Sequence, residues 1–274
     1  MSRCNTLILP AELQRALGGG QAFDRIMSLQ GEVFRDVPGR RTLRFEADGR
    51  SYFAKLHYGV GWREIFKNLL SLRLPIISAG TEWRAIQKLN EIGIPTTPAV
   101  AYGCRGTSPA SLQSFVITED LGDIVSLETL CAEWSRNPPD AGFKRHLIMA
   151  VAETARKFHE HGLNHRDFYI CHFCLDRQRL AGDSIHLYLI DLHRVGIRPA
   201  ISSTNRMKDL AALYFSALDI GLSRKDCLRF MRVYTGGRLR EAVEQDTGFW
   251  RRIRKRAVKL YIKFHHVGPK DIPL

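Results

Sequence analysis

The stretch Asn164-His165-Arg166-Asp167-Phe168-Tyr169-Ile170-Cys171-His172-Phe173 decides the reading of this chain. It follows a run in which Phe143, Leu147, Ile148, Val151, Ala155 and Phe158 recur at helical spacing, and His161-Gly162 supplies a helix stop. A loop leaving a long amphipathic helix with His-Arg-Asp holds a carboxylate where an attacking hydroxyl must be oriented and relieved of its proton. On its own, such a triplet describes an ordinary salt-bridged loop better.

Two further elements give the triplet its context. Downstream, Leu187-Tyr188-Leu189-Ile190 reads as a short buried strand ending in Asp191-Leu192-His193, and an aspartate at the end of such a strand can hold the metal that bridges nucleotide phosphates. Upstream, Tyr52-Phe53-Ala54-Lys55-Leu56 alternates, so Tyr52, Ala54 and Leu56 share one face and Phe53 and Lys55 the other. A lysine in a half-buried strand is costly unless paired. Phosphate oxygens and Glu82, on the next well-formed helix, would satisfy it. Lysine, glutamate, His-Arg-Asp and a strand-ending aspartate, in that order, point to phosphoryl transfer from ATP: alignment and charge management, with no strong nucleophile required.

Outward from these motifs, the front of the chain carries most of the strand signals. Val33–Phe34 and Thr42–Glu46 flank a turn at Pro38-Gly39, and Ala47-Asp48-Gly49 turns into Ser51–Leu56. Trp62, Ile65, Phe66, Leu69 and Leu70 lie at helical period, and a second helix runs from Thr81 to about Gly93. Pro98–Tyr102 and Ser114–Thr118 are two more strands. Beyond Glu119-Asp120-Leu121-Gly122 the pattern turns helical, with Leu210, Leu213, Tyr214, Ala217 and Leu218 on one helix and Ser223 capping the next. The expected fold is α+β and two-lobed, of protein-kinase-like type. Residues 1–120 form an antiparallel-sheet lobe with one helix pair, and residues 121–274 a larger, mainly helical lobe.

Composition sets bounds. The 274 residues are 45% apolar and 25% charged, the balance of a folded domain. No window is apolar enough to span a bilayer, and Leu7-Ile8-Leu9 is too short a core for a secretory signal, so a cytoplasmic address is expected. The six cysteines read as reduced thiols. Cys171 and Cys174 are read as packing beneath the catalytic loop, and less than stoichiometric zinc is expected. A net charge of +13 concentrates anions.

Several segments resemble the lipopolysaccharide core heptose kinases. They are Leu29-Gln30-Gly31-Glu32-Val33-Phe34-Arg35, Arg41-Thr42-Leu43-Arg44-Phe45-Glu46, Tyr52-Phe53-Ala54-Lys55, Ile117-Thr118-Glu119-Asp120-Leu121, Asn164-His165-Arg166-Asp167, Tyr169-Ile170-Cys171-His172-Phe173 and Ile190-Asp191-Leu192-His193-Arg194. The resemblance extends over roughly residues 22 to 264 and implies ATP with magnesium as cofactors. It makes Asp167 the catalytic base beside Arg166 and His165, Lys55 the phosphate-contacting lysine, and Asp191 a metal ligand. Glu82 and Glu119 fall on the nucleotide side, and Asp209 braces the catalytic loop.

Three positions depart from protein kinases. Gly39-Arg40-Arg41-Thr42 replaces a glycine-rich loop, and Arg40 or Arg41 is expected to supply charge to the phosphates, with Arg41 the chosen candidate. Phe53 stands where a small residue would lie against adenine. His172 stands where a metal-binding asparagine is usual, although magnesium prefers oxygen. The metal is therefore expected to rely mainly on Asp191 and water, with His172 a secondary ligand.

From Trp250 to Phe264 the chain carries Arg251, Arg252, Arg254, Lys255, Arg256, Lys259 and Lys263 and no acid. A basic amphipathic helix of this kind suits an anionic membrane surface, or docks by its apolar face with a cationic rim. The expected acceptor is the phosphorylated, carboxylated lipid A-core oligosaccharide, on the cytoplasmic face of the inner membrane, with no specific nucleic acid as partner. The rival readings are a kinase for an octulosonate sugar or an aminoglycoside, and a catalytically silent basic membrane-binding module.

Overall fold

The computed structural model describes residues 4–17, 21–59, 61–62, 78–180, 185–237, 240 and 247–274. The chain divides into two compact units. The first takes residues 1–88 and 97–121 together with Leu192–Arg194; the second takes Leu89–Thr96, Gly122–Asp191 and Val195–Leu274. The helical run expected around Ile65 to Leu70 lies outside the described residues.

The first unit is built on a six-stranded antiparallel sheet. Its strands are β1 (Cys4–Ile8), β2 (Glu32–Val37), β3 (Arg40–Ala47), β4 (Arg50–His57), β5 (Ala99–Gly106) and β6 (Gln113–Glu119), in the order β1-β5-β6-β4-β3-β2. The β3–β4 turn is a two-residue loop in which Asp48 (φ 49°) and Gly49 (φ 70°) are both left-handed, the geometry that matches the twist of a hairpin. Strand alternation then fixes the faces. Leu43, Phe45, Tyr52, Ala54, Leu56, Phe115 and Ile117 point together into an apolar core. That core is closed by Leu13 of α1 (Ala11–Ala16) and by Ile26 and Met27 of α2 (Ala22–Met27). On the opposite face lies α3 (Gly80–Glu91), which buries Glu82, Ala85, Ile86 and Leu89.

The expectation of six reduced cysteines is corrected at the sheet edge. Cys4 and Cys104 form a disulfide, with Cα atoms 5.8 Å apart. The β1–β5 register puts Cys104 opposite Thr6, two residues from Cys4, so the diagonal neighbours meet across the strand pair. Cys131, Cys171, Cys174 and Cys227 remain thiols.

The second unit is mainly helical. Its longest described helix, α5 (Ala141–Glu160), opens on an Asp140 side chain that accepts the Phe143 amide at 2.8 Å. It stops at Gly162 (φ 76°), where a Cβ would collide with the Arg198 carbonyl. With α4 (Leu127–Cys131), the other α-helices among the described residues include α6 (Ser203–Ser216), α7 (Arg224–Thr235) and α8 (Thr247–His265). Ser223 and Asp226 form a reciprocal capping box at the start of α7. Lys144 reaches from α5 to Asp226 at 3.0 Å. Short strands β9 (Phe173–Asp176) and β10 (Leu187–Leu189) pair beside β7 (Ile124–Ser126), while β8 (Leu163–Asn164) pairs with β11 (Gly196–Ile197).

Helix α8 docks by its apolar face. Phe249, Trp250, Ile253, Ala257 and Tyr261 are buried, and it packs on α6. The arginines and lysines from Arg251 to Lys263 stay exposed, and so do Ile262, Phe264 and Val267. No described helix is long and apolar enough to cross a membrane.

Candidate active site

In the first unit the Lys55 ammonium meets Glu82 Oε1 at 2.6 Å. The pairing follows from alternation: Lys55 stands opposite Thr42 and Val116, on the face away from the α1–α2 core and toward α3. Glu82 is almost wholly buried, so the pair is poorly screened. Two neighbours on this face were not singled out from sequence. His57 is buried beside Lys55, and burial, then Arg40 and Lys55, press its pKa down to about 3. Phe34 packs its ring edge-on against Phe53 at 5.1 Å.

The register moves two expected residues away from the lysine. Arg40 pairs with His57 and Thr42 with Lys55, which leaves Arg41 on the core face with Leu43. Arg41 lies 3.8 Å from Asp36. Arg40, rather than Arg41, shares the Lys55 face, because a one-residue step turns a side chain to the other side of a sheet. Glu119 ends β6 opposite Tyr52, also on the core face, and its amide donates to the Pro98 carbonyl at 2.9 Å.

In the second unit the catalytic-loop residues are braced from below. Asp209, buried on α6, accepts the backbone amides of His165 at 2.7 Å and Arg166 at 3.0 Å. Those bonds hold Arg166 in the left-handed conformation (φ 71°), a strained setting for a residue that carries a Cβ. His165 is fully buried, and burial lowers its pKa to about 4, so the ring is neutral. Its Nε2–H donates to the Ile190 carbonyl at 3.1 Å, tying the loop to the residue before Asp191. Asp191 itself is left-handed (φ 60°).

The turn after the loop carries His172. Its Nδ1–H donates to the Asp167 carbonyl at 2.7 Å, which turns Nε2 outward from that bond. That nitrogen lies 3.6 Å from Asp191 Oδ2. Asp191 and His172 are the side chains here that would hold a divalent cation, which would supply charge neutralisation to phosphate oxygens. Among the described residues no three His, Cys, Asp or Glu side chains form a closed metal cage. Burial raises the thiol pKa of Cys171 and of Cys174 to about 11, the behaviour of packing groups rather than thiolate ligands.

Residues 24–234 match the model of the lipopolysaccharide kinase (Kdo/WaaP) family. The chain is 47% identical over 263 residues to the lipopolysaccharide core heptose(I) kinase WaaP of Pseudomonas aeruginosa, covering 96% of this chain and 98% of that one. It is 49% identical over 229 residues to the protein of the same name from Escherichia coli K12, covering 83% and 86%. Among solved structures, WaaP in complex with acyl carrier protein matches with a TM-score of 0.81 at 43% identity, over 93% of this chain and 99% of that one.

Proposed function

The chain belongs to the lipopolysaccharide kinase (Kdo/WaaP) family, and from that membership we propose the chemistry of its individual residues. It is an ATP-dependent kinase that phosphorylates a heptose hydroxyl of the lipopolysaccharide inner core, on an α+β, kinase-like fold. The names of its relatives favour the first heptose as acceptor. The observation that carries the residue assignment is the His172 bridge: one side chain anchors on the backbone of Asp167 and faces Asp191.

In this reading the Asp167 carboxylate orients the sugar hydroxyl and takes its proton as the oxygen attacks the terminal phosphorus. Asp191, with His172 beside it, would hold magnesium, which when bound neutralises charge on the phosphates. Lys55, positioned by Glu82, contacts phosphate oxygens, and Arg40 adds charge on the same face. Asp209 keeps the loop in the conformation that aims Asp167.

Mass spectrometry of core oligosaccharide from cells with and without the gene tests the acceptor. Loss of one phosphate from heptose on deletion, restored by the wild-type gene and not by Asp167→Ala, is the expected result. An unchanged core, or full restoration by Asp167→Ala, would refute it.

The exposed cationic face of α8, with Ile262, Phe264 and Val267 beside it, supports peripheral attachment to an anionic membrane. Exposed charges are screened within roughly 10 Å at 0.1 M salt. Added salt should therefore raise KM for the lipid acceptor far more than for ATP, and equal insensitivity of both would count against this docking. A second partner, acyl carrier protein, is suggested by the related complex. It is favoured by an apolar cavity of about 110 Å³ in the second unit, lined by Trp134, Leu147, Leu213, Phe230 and Trp250. Co-purification with acyl carrier protein that survives salt but fails in Leu213→Trp would support this partner.

A further inference from the structure

A pocket of about 200 Å³ in the second unit is lined by none of the proposed catalytic or metal-binding residues. Its cations are Arg156 from α5 and Arg206 from α6, and the Glu160 carboxylate stands with them. The Nε of each arginine is buried and has no hydrogen-bond acceptor among the described residues. A guanidinium cannot shed its proton, so a buried Nε–H wants an acceptor.

The walls do not provide one. His159 Nδ1 and the Tyr234 hydroxyl bond each other at 2.8 Å, and His159 Nε2 lies 3.4 Å from Asp209 Oδ2. Phe249 faces the Arg206 guanidinium, whose carbon lies 5.2 Å from the ring centroid; a ring face orients the plane and gives the buried Nε–H no acceptor. Gly236 ends α7 in the left-handed conformation, and a Cβ there would come within 2.9 Å of an Arg156 terminal nitrogen. Glu160 is exposed, so its charge is screened by solvent. Among the described residues, two guanidinium forks against one screened carboxylate make a cationic pocket short of acceptors. Planar N–H forks match the oxygens of phosphate better than any other common anion except carboxylate.

We infer that the Arg156–Arg206 pocket binds a phosphate-class oxyanion other than the phosphate under transfer. Free phosphate and a phosphoryl group carried on the lipid A-core acceptor share this chemistry. Only the acceptor source rests on the proposed kinase function.

The test follows the melting temperature of the full-length protein with magnesium and a non-hydrolysable ATP analogue saturating, so that nucleotide occupancy is constant. Inorganic phosphate is titrated against sodium chloride of equal ionic strength. Wild type should melt several degrees higher in phosphate. Arg156→Gln/Arg206→Gln should keep its melting temperature in chloride and lose the phosphate gain, with apparent affinity down about 10-fold or more. If the double variant does not fold, Arg206→Lys, which keeps the charge and loses the fork, should show a weakened gain. In a second arm, core oligosaccharide is added with and without its phosphoryl groups. A gain lost on dephosphorylation and absent in the variant assigns the acceptor; a gain from inorganic phosphate alone assigns free phosphate. No phosphate gain in wild type, or an equal gain in the variants, overturns the inference. None of these readouts needs phosphoryl transfer, so failure of the kinase reading would leave this result standing.

Discussion

His172 turns its Nε2 toward Asp191, with 3.6 Å between that nitrogen and Oδ2. Its other ring nitrogen is fixed on the Asp167 carbonyl at 2.7 Å. An asparagine in this place could donate to the same carbonyl or face Asp191, but it is too short to do both. His172→Asn should therefore keep magnesium-supported activity within about 10-fold, because Asp191 and water supply most of the shell. It should also lower the ratio of manganese- to magnesium-supported rate, since imidazole suits manganese better. Initial rates with each metal decide it, and a well-folded, inactive variant would refute reliance on Asp191 and water.

The Lys55–Glu82 pair allows stability and catalysis to be separated. Glu82 Oε2 is buried without a hydrogen-bond partner among the described residues, so Oε1 depends heavily on the lysine. Lys55→Met should cost about 3–5 kcal/mol by stranding a buried carboxylate. Adding Glu82→Gln should recover most of that loss in urea denaturation. The rate should stay depressed by about 100-fold or more in both variants, because the phosphate-contacting charge is gone. Recovery of activity in the double variant would show that Lys55 serves only to neutralise Glu82.

The elements that carry the proposed site were legible in sequence where one residue type stands on one strongly patterned segment. Lys55 on an alternating strand, Asp167 after a long helix and Asp191 at a strand end all fall on the elements expected of them. What failed needed tertiary knowledge. Helices α1 and α2 are six residues each, too short for a periodic pattern, and their burial of Leu13 and Ile26 is visible only once the sheet exists. The choice between Arg40 and Arg41 turns on a single step of strand register. Arg156 and Arg206 are two cations among 41 lysines and arginines, and only the packing of α5 on α7 and of α6 on α8 sets them in one pocket.

The Cys4–Cys104 bridge closes a loop of about one hundred residues around most of the first unit. Edge strand β1 contributes mainly exposed residues, so little besides its pairing with β5 holds it. Loop-closure entropy predicts a stabilisation of about 4.7 kcal/mol for a loop of this length. Urea denaturation with and without reductant measures it: wild type should lose stability on reduction, and Cys4→Ser should start lower and ignore the reductant. A wild-type midpoint insensitive to reductant would show that the bridge does not form or does not matter.

Two buried histidines set the acid limit of the fold. His165 has its pKa lowered to about 4, first by burial and then by His172; His57 is lowered to about 3, first by burial and then by Arg40. Both ordinarily titrate near 6.5, so below that value the unfolded chain takes up protons that the folded chain refuses. Proton uptake favours the unfolded state, and stability falls as pH drops through this window. One pKa unit corresponds to about 1.36 kcal/mol, so each histidine withdraws about 2 kcal/mol between pH 6.5 and 5, above the range where most carboxylates protonate. The urea midpoint should accordingly drop between pH 7 and pH 5 and continue downward toward pH 4. His57→Leu keeps a buried side chain of similar size without a titrating ring, and should remove about half of that slope. The same slope in wild type and His57→Leu would mean that His57 is charged in the folded protein, or that another group governs the acid transition.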